Sequence, residues 1–489
     1  MSRTHTLRPV ISRRGLLQSS LAGAALLPFA TLPEANAASA WSEARGALTA
    51  PRRMQDASHP ALWRTWLLTT PDQLRPEAPA EPTPDEIAEL LELQAARDEA
   101  ALALVHKWFG RPSVVTWTEL ASDAFAEFKM PPMRQSRAQG ILQTAMYDAV
   151  IAAYDAQDAY NAPAPAAASP ELTVVEGITD ARPAYPAADA AVAGAAAAVL
   201  TSLLPDAAPG RFDTIAEEAA KARLIAGTNV RRDTDAGLAL GQAVAQLALA
   251  HGADDRPGKD WDGSGRLEGP GYWQPTPPAF AETPLEPLGG TWRTWVLEAP
   301  DAFRPAPPPA YDTPAWQSQL IAVQEAVARR TFAQEHAARY WQGTAAAKLW
   351  TGFAHELIAR DGLDLPHAAR VLAYLGVTLA DGQTAVWDAK YTYWTERPIT
   401  ADPELNVLFP TPNFPSYPSS HSTNSNSAAV ILGHFFPDAA GDLFAMAEEA
   451  SKSRCWAGIH FPVDDDAGTL LGRNVGYLIA AMASEEDDM

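Results

Sequence analysis

Basic and imidazole side chains recur at short spacings in the last hundred residues of the 489-residue chain. Lys390 and Arg397 lie seven residues apart, which places both cations at one helix end or turn. Farther on, Ser419, Ser420 and His421 begin an apolar-periodic helix. Unpaired N–H groups and the helix dipole both favour an anion at such an N-terminus. These residue types predict a site for a tetrahedral oxyanion.

A third group follows in the same order along the chain. Arg454 comes first, and its guanidinium can donate two parallel hydrogen bonds to an oxyanion. His460 and Asp464 follow at a separation of four residues, as on one helix face. The carboxylate would then fix the tautomer of the imidazole.

Together the groups form one pattern, which reads Lys390-x6-Arg397-Pro, then Pro-Ser419-x-His421, then Ser-Arg454-x5-His460-x3-Asp464. This pattern resembles the signature shared by vanadium-dependent haloperoxidases and acid phosphatases of the type 2 phosphatidic acid phosphatase superfamily. Trp387, Phe414 and the length of the chain look more like the haloperoxidases.

The resemblance implies a set of residues that bind vanadate, and phosphate could occupy the same place. Lys390, Arg397 and Arg454 would clamp the equatorial oxygens. The Ser419 hydroxyl and the Ser420 backbone N–H would add hydrogen bonds. Serine at position 420 is a departure, because the family usually has glycine there. It would either loosen the cradle or add a hydroxyl donor.

The resemblance also implies the reacting groups. His460 would be the axial ligand of the vanadium, and Asp464 would orient its ring. His421 would be the acid–base group. Trp387 and Phe414 would line the approach of the halide.

The function implied by the resemblance is that of an exported vanadium-dependent haloperoxidase. It would use hydrogen peroxide to oxidise bromide or chloride and to halogenate a small organic acceptor. Two alternatives stay open. One is an exported acid phosphatase with His460 as the nucleophile that forms a phosphohistidine and His421 as the proton donor. The other is a non-catalytic helical binding protein.

The chain that must position these residues contains an internal repeat. Trp63-Arg64-Thr65-Trp66 recurs as Trp292-Arg293-Thr294-Trp295, with further matches at offsets of 229 to 233 residues. We expect a first bundle over 38–250, a Gly/Pro-rich connector over 251–291 and a second bundle over 292–489.

Only the second copy keeps the candidate site. The first copy has Gln157 opposite Lys390, Ala188-Asp189 opposite Ser420-His421, and Asn229 opposite His460. Arg223 and Asp233 are kept opposite Arg454 and Asp464. We therefore expect the first copy to be degenerate and the active site to lie in the second bundle.

Apolar periodicity predicts an all-α fold of two related helical bundles. In each copy a first helix is expected, over Glu86–Lys107 and Gln317–Gln342. Further helices are expected over 134–158, 187–204, 212–224 and 232–250, and over 366–389, 421–436, 439–455 and 465–483.

Residues 1–37 resemble a twin-arginine export signal, with Arg13-Arg14 before an apolar stretch and an Ala35-Asn36-Ala37 cleavage site. We expect a periplasmic or extracellular protein with no membrane span in the mature chain. A homo-oligomer is possible. The net charge of −22 argues against nucleic-acid binding, and the single cysteine excludes an intrachain disulfide.

Overall fold

A computed structural model describes residues 60, 63–179, 182–255, 257–258 and 260–487. The predicted export signal, residues 1–37, lies outside these residues. The first half of the described chain contains α1 (Pro84–Ala95), α2 (Glu99–Phe109), α3 (Ser113–Glu127), α4 (Pro132–Tyr160), α5 (Pro165–Ala168), α6 (Ala188–Leu203), α7 (Arg211–Ala226) and α8 (Arg231–His251). The second half contains α9 (Pro314–Ala328), α10 (Phe332–Gln342), α11 (Ala346–Asp361), α12 (Leu365–Tyr393), α13 (Pro398–Ala401), α14 (Ser420–Phe435), α15 (Ala440–Ala457) and α16 (Pro462–Asp487).

The all-α prediction is confirmed. No strand occurs in the described part of the chain, where the only β-type pairing is an isolated bridge between Tyr272 and Thr395. All described residues belong to one compact unit. None of the described helices is long and apolar enough to cross a membrane.

The prediction of one long first helix in each copy is wrong, because the structure has two shorter helices there. The breaks lie between α1 and α2 and between α9 and α10. Asp98 caps the second helix of the first copy by accepting a hydrogen bond from the Ala101 N–H at 2.8 Å. Thr331 caps its counterpart through the Gln334 N–H at 3.3 Å. These side chains satisfy helix N-terminal donors, which starts a new helix within the periodic pattern.

Besides the four-residue helices α5 and α13, two longer helices, α3 and α11, were absent from the expectations. The first turns of α3 are buried all round from Ser113 to Thr118, so no one-sided stripe marks them in the sequence. The buried face of α11, with Trp350, Ala354 and Ile358, does show helical spacing and was readable.

The duplication is visible as matched hydrogen bonds in the two halves. One buried aspartate of each long helix accepts from three consecutive backbone N–H groups of the repeated tryptophan segment: Asp148 from Trp66, Leu67 and Leu68, and Asp381 from Trp295, Val296 and Leu297. Arg75 pairs with Asp155 at 2.8 Å, and Arg304 pairs with Asp388 at 2.6 Å. The two copies therefore share tertiary contacts as well as sequence.

Long helices α4 and α12 pack against each other at the centre. Within each half, glycines let a later helix approach an earlier one closely. A Cβ at Gly237 would lie 2.4 Å from the Ala187 carbonyl oxygen, and a Cβ at Gly468 would lie 2.4 Å from that of Ser419. The glycine contact in the second half fixes the N-terminus of α14, where the candidate site begins.

Candidate anion-binding active site

Ends of helices in the second half bring the predicted residues together. Lys390 lies in the last turn of α12, Arg397 caps α13, and Arg454 lies in the last turn of α15. Lys390 and Arg454 thus lie at helix C-termini, where unpaired backbone carbonyls favour cations, whereas Arg397 lies at a helix N-terminus. All three side chains are fully buried. The N-terminus of α14 and the loop before α16 complete the site.

His460 is held in one orientation by partners on both ring nitrogens. Its Nδ1 lies 2.8 Å from Asp464 Oδ2, and its Nε2 lies 3.1 Å from Arg397 Nη1. The carboxylate can only accept and the guanidinium can only donate. These partners assign the proton to Nδ1 and leave the lone pair on Nε2, facing Arg397.

The spacing indicated that His460 and Asp464 share a helix face. The structure shows that they do not. His460 lies in the loop two residues before α16 begins at Pro462, and Asp464 lies in the first turn. Asp464 Oδ2 also accepts from the Phe461 N–H at 3.0 Å, which ties the carboxylate to the loop.

The Lys390 ammonium is bonded to a loop. Its Nζ donates to the carbonyls of Pro415, Ser416 and Pro418 at 2.9, 2.7 and 2.5 Å. An ammonium has three N–H donors. In this arrangement Lys390 positions the loop, and contact with an anion would replace at least one of these bonds.

The Arg454 guanidinium is fixed at all three nitrogens. Nε donates to Ser453 Oγ at 2.9 Å, Nη1 to Gln342 Oε1 at 2.8 Å and Nη2 to the Ala338 carbonyl at 2.9 Å. Each Nη atom carries a second N–H. Partly buried His421 has its Nε2 3.1 Å from the Trp341 carbonyl, so that nitrogen carries the proton and Nδ1 has the lone pair.

Two buried donors of the predicted set have no hydrogen-bond partner among the residues that the structure describes. They are Arg397 Nη2 and the Ser420 hydroxyl. Leaving such a group unpaired in the interior costs about 1–3 kcal/mol. Ser419 is instead occupied as the N-cap of α14, where its hydroxyl accepts from the Ser422 N–H at 3.4 Å. Unpaired donors beside buried cations suit a bound anion.

Trp387 and Phe414 contact each other, with ring centroids 4.9 Å apart. Phe414 lies beneath two cations, 5.1 Å from Lys390 Nζ and 4.9 Å from the Arg397 guanidinium. Trp387 is buried behind it, and its indole N–H donates to the Leu285 carbonyl at 3.3 Å. Phe414 therefore forms a wall of the cationic site, and Trp387 supports that wall from behind.

Burial shifts the pKa of each ionisable group in this part of the molecule. Burial, followed by the charge of Arg397, lowers the pKa of His460 well below its usual range. Burial, followed by the charge of Arg454, does the same for His421. The pKa values of Arg397 and Arg454 fall to about 10, again through burial. Burial raises the pKa of Asp464 to about 6, although the Ser416 hydroxyl opposes the shift.

Two buried residues beside the site were missed by the sequence reasoning. Ser416 donates its hydroxyl to Asp464 Oδ2 at 2.5 Å. Asp465 accepts from Ser422 Oγ at 3.1 Å and from Cys455 Sγ at 3.0 Å, and burial raises its pKa to about 8. Ser416 lies three residues before Ser419, just outside the quoted motif, and nothing in the spacing indicated the direction of its side chain.

The corresponding place in the first copy is filled by its own side chains. Asp189, which stands opposite His421, pairs with Arg223 and accepts from Ser113 Oγ at 2.6 Å. Arg223 Nε donates to Asn229 Oδ1 at 2.6 Å. Gln157 keeps one loop contact of its counterpart Lys390, because it donates to the Pro186 carbonyl at 2.9 Å. The Asp189 carboxylate thus supplies the negative charge that Arg223 needs.

A family model described as the PAP2 superfamily matches residues 370–487, which contain every predicted site residue. The matched segment lies in the second half of the chain, starts within α12 and includes α14, α15 and α16. A comparison of the sequence with curated proteins returned no match.

The likeness to solved structures extends beyond the segment that the PAP2 model matches. The first bacterial vanadium-dependent iodoperoxidase is 20% identical, with a TM-score of 0.57, covering 83% of this chain and 98% of that chain. A holo-type bacterial vanadium-dependent chloroperoxidase is 13% identical, with a TM-score of 0.56, covering 74% of this chain and 94% of that chain. The resemblance to vanadium-dependent haloperoxidases is confirmed for the fold.

Proposed function

We propose that this protein is a vanadium-dependent haloperoxidase whose PAP2 domain binds vanadate. The observation that carries the proposal is the buried donor set around His460: Arg397, Arg454 and the α14 N-terminus, with Arg397 Nη2 and the Ser420 hydroxyl unpaired among the described residues. The likeness to the two haloperoxidases covers both halves of the chain and supports this activity over the phosphatase alternative.

The donor chemistry fits vanadate, because a negatively charged oxyanion accepts hydrogen bonds from guanidinium, hydroxyl and backbone N–H groups. Arg397, Arg454, Ser420 and the lone pair of His460 Nε2 would hold it, with Lys390 fixing the adjoining loop. Bound vanadate supplies an electrophilic centre that activates hydrogen peroxide toward a halide.

The residues of the chain have three tasks in this proposal. Asp464 keeps the proton of His460 on Nδ1, so that the lone pair stays on Nε2, where vanadate would take the place of the contact with Arg397 Nη1. The buried guanidinium groups stabilise negative charge in a site shielded from water, where electrostatic interactions are strong. His421, with Nδ1 unprotonated, is the acid–base group that accepts a proton from peroxide.

The deciding experiment compares two reactions of the same purified chain. The protein is loaded with orthovanadate and assayed with hydrogen peroxide, an activated organic acceptor and iodide, bromide or chloride in turn. Phosphate-ester hydrolysis is measured in parallel without vanadate. We expect vanadate-dependent halogenation with at least one halide. Hydrolysis with no halogenation at any halide would replace the proposal with the acid phosphatase, in which His460 Nε2 attacks phosphorus.

We further propose that the protein is exported through the twin-arginine pathway. Cleavage after Ala37 would leave the bundles 38–250 and 292–489, joined by the connector 251–291. Replacing Arg13 and Arg14 together by lysine should retain the protein in the cytoplasm, as measured by fractionation. Unchanged export of this variant would contradict the assigned pathway.

A further inference from the structure

Ser416 is a buried serine in the loop between α13 and α14 that none of the expected roles includes. We propose that Ser416 is a positioning residue: its hydroxyl holds the Asp464 carboxylate in the orientation that fixes His460 with Nε2 toward the anion site. The inference concerns the site of the proposed function and deepens it.

The hydrogen bonds around Asp464 carry the inference. One carboxylate oxygen, Oδ2, receives the Ser416 hydroxyl at 2.5 Å, His460 Nδ1 at 2.8 Å and the Phe461 N–H at 3.0 Å. Ser416 Oγ also lies 3.4 Å from His460 Nδ1, so it is in contact with both members of the pair. All the side chains involved are buried. Because the hydroxyl donates to the oxygen that His460 uses, it constrains the direction of that oxygen.

The backbone of Ser416 is fixed independently of its side chain. Its N–H donates to the Thr395 carbonyl at 3.0 Å, and its carbonyl accepts from Lys390 Nζ at 2.7 Å. The hydroxyl is therefore presented from a rigid point, which is the condition for one hydrogen bond to orient another group. Removing the hydroxyl should leave the path of the loop unchanged.

The first copy separates the structural contacts from the functional one. There Asp233 replaces Asp464 and still accepts from the Val230 N–H at 2.9 Å, which matches the contact with Phe461. Ala184 stands opposite Ser416, and Asn229 stands opposite His460. The backbone contact thus exists in both copies, whereas the hydroxyl occurs only beside the imidazole. A hydroxyl needed merely to fold the loop would be needed in both.

The test uses the full chain and measures two properties that do not require halogenation. Orthovanadate and inorganic phosphate binding are measured by calorimetry, and the ring ¹⁵N shifts of His460 report its tautomer at fixed pH. For Ser416→Ala we expect about tenfold weaker binding of both anions and mixed tautomer signals, because one charge-assisted hydrogen bond is lost. In the Asp464→Asn background the same change should have little further effect, because Ser416 acts through Asp464.

Ser427→Ala is the matched control, since Ser427 is also buried and donates only to the Asn424 carbonyl of its own helix, at 3.1 Å. It should leave affinity and tautomer unchanged. Unaltered affinity and shifts in Ser416→Ala, or effects that simply add to those of Asp464→Asn, would overturn the inference. If the wild-type chain binds both anions but halogenates nothing, the proposed function fails and this inference remains.

Discussion

Arg397 shows how one side chain can serve both the fold and the ligand. Its Nε and Nη1 donate to the carbonyls of Phe414 and Ile459 at 2.9 and 2.8 Å, and Nη1 also reaches His460 Nε2. Nη2 has no partner within the described chain. A lysine could not reproduce this fixed fork of donors. The guanidinium is thus held rigidly by the protein while one end stays available for an oxyanion.

Lys390 illustrates the opposite case at the same scale. The sequence indicates an anion ligand, whereas all three N–H groups bond to carbonyls of the 415–418 loop. Gln157 retains one equivalent bond in the first copy, where the residues opposite Ser420, His421 and His460 have changed. Part of the role of Lys390 is therefore to fix a loop.

At this scale the sharpest prediction concerns His460. His460→Ala should lower orthovanadate affinity by about 100-fold or more, because the imidazole that would bind vanadate is lost, while thermal melting still shows a cooperative fold. Asn229→Ala removes the counterpart from the same place in the first copy and should bind vanadate as the wild type does. Vanadate binding is measured by ultrafiltration and metal analysis. Retention of vanadate by His460→Ala would refute the assignment of His460 as a ligand.

The element that presents the site is the N-terminus of α14, and its position depends on α16. A Cβ at Gly468 would lie 2.4 Å from the Ser419 carbonyl oxygen and 3.0 Å from Ser422 Cβ. A side chain at position 468 would therefore clash with the backbone and displace the start of α14. The turn that carries Ser420 and His421 is therefore placed by a glycine on a neighbouring helix.

Gly468→Ala should consequently displace the start of α14. We expect a loss of about 1–3 kcal/mol in the free energy of unfolding, as overpacking usually causes, together with much weaker vanadate binding. Gly237→Ala is the matched control in the first copy, because a Cβ at position 237 would lie 2.4 Å from the Ala187 carbonyl oxygen. It should cost similar stability and spare vanadate binding. Equal binding losses in both variants, or none in either, would contradict this reasoning.

At the scale of the whole molecule, the two halves meet through aromatic contacts. His251, the last residue of α8, stacks on Trp295 of the second half with ring centroids 3.8 Å apart. Trp66 contacts the same Trp295 from the first copy, at 6.5 Å and nearly perpendicular. Burial, followed by the charge of Arg293, lowers the pKa of His251 to about 4. Folding therefore keeps this ring neutral.

The shift predicts how acid weakens the joined halves. Between pH 6.5 and about 4 the unfolded chain binds a proton at His251 that the folded chain does not, so stability falls as the pH falls through this window. His251→Phe retains an aromatic ring against Trp295 and removes the imidazole that binds the proton. Its melting temperature should therefore fall less than that of the wild type between pH 7.5 and 5. Identical pH dependence in the two proteins would contradict the prediction.

The sequence by itself determined the all-α class, the duplication and the residues that gather at the site. Apolar periodicity and repeated segments are local patterns, and the spacing of the motifs indicates which residues gather around the helix ends that carry Arg397 and Arg454. Helix breaks at Asp98 and Thr331 were harder to read, because a single capping side chain decides them within a continuous periodic pattern.

Only the tertiary structure decided which way each side chain points. Lys390 donates hydrogen bonds to a loop, Ser416 donates one to Asp464, and Asp189 forms an ion pair with Arg223 in the first copy. None of these partners is near in sequence, since 26, 48 and 34 residues separate the members of each pair. Hydrogen bonds depend on distances and angles in space, which spacing along a chain does not specify.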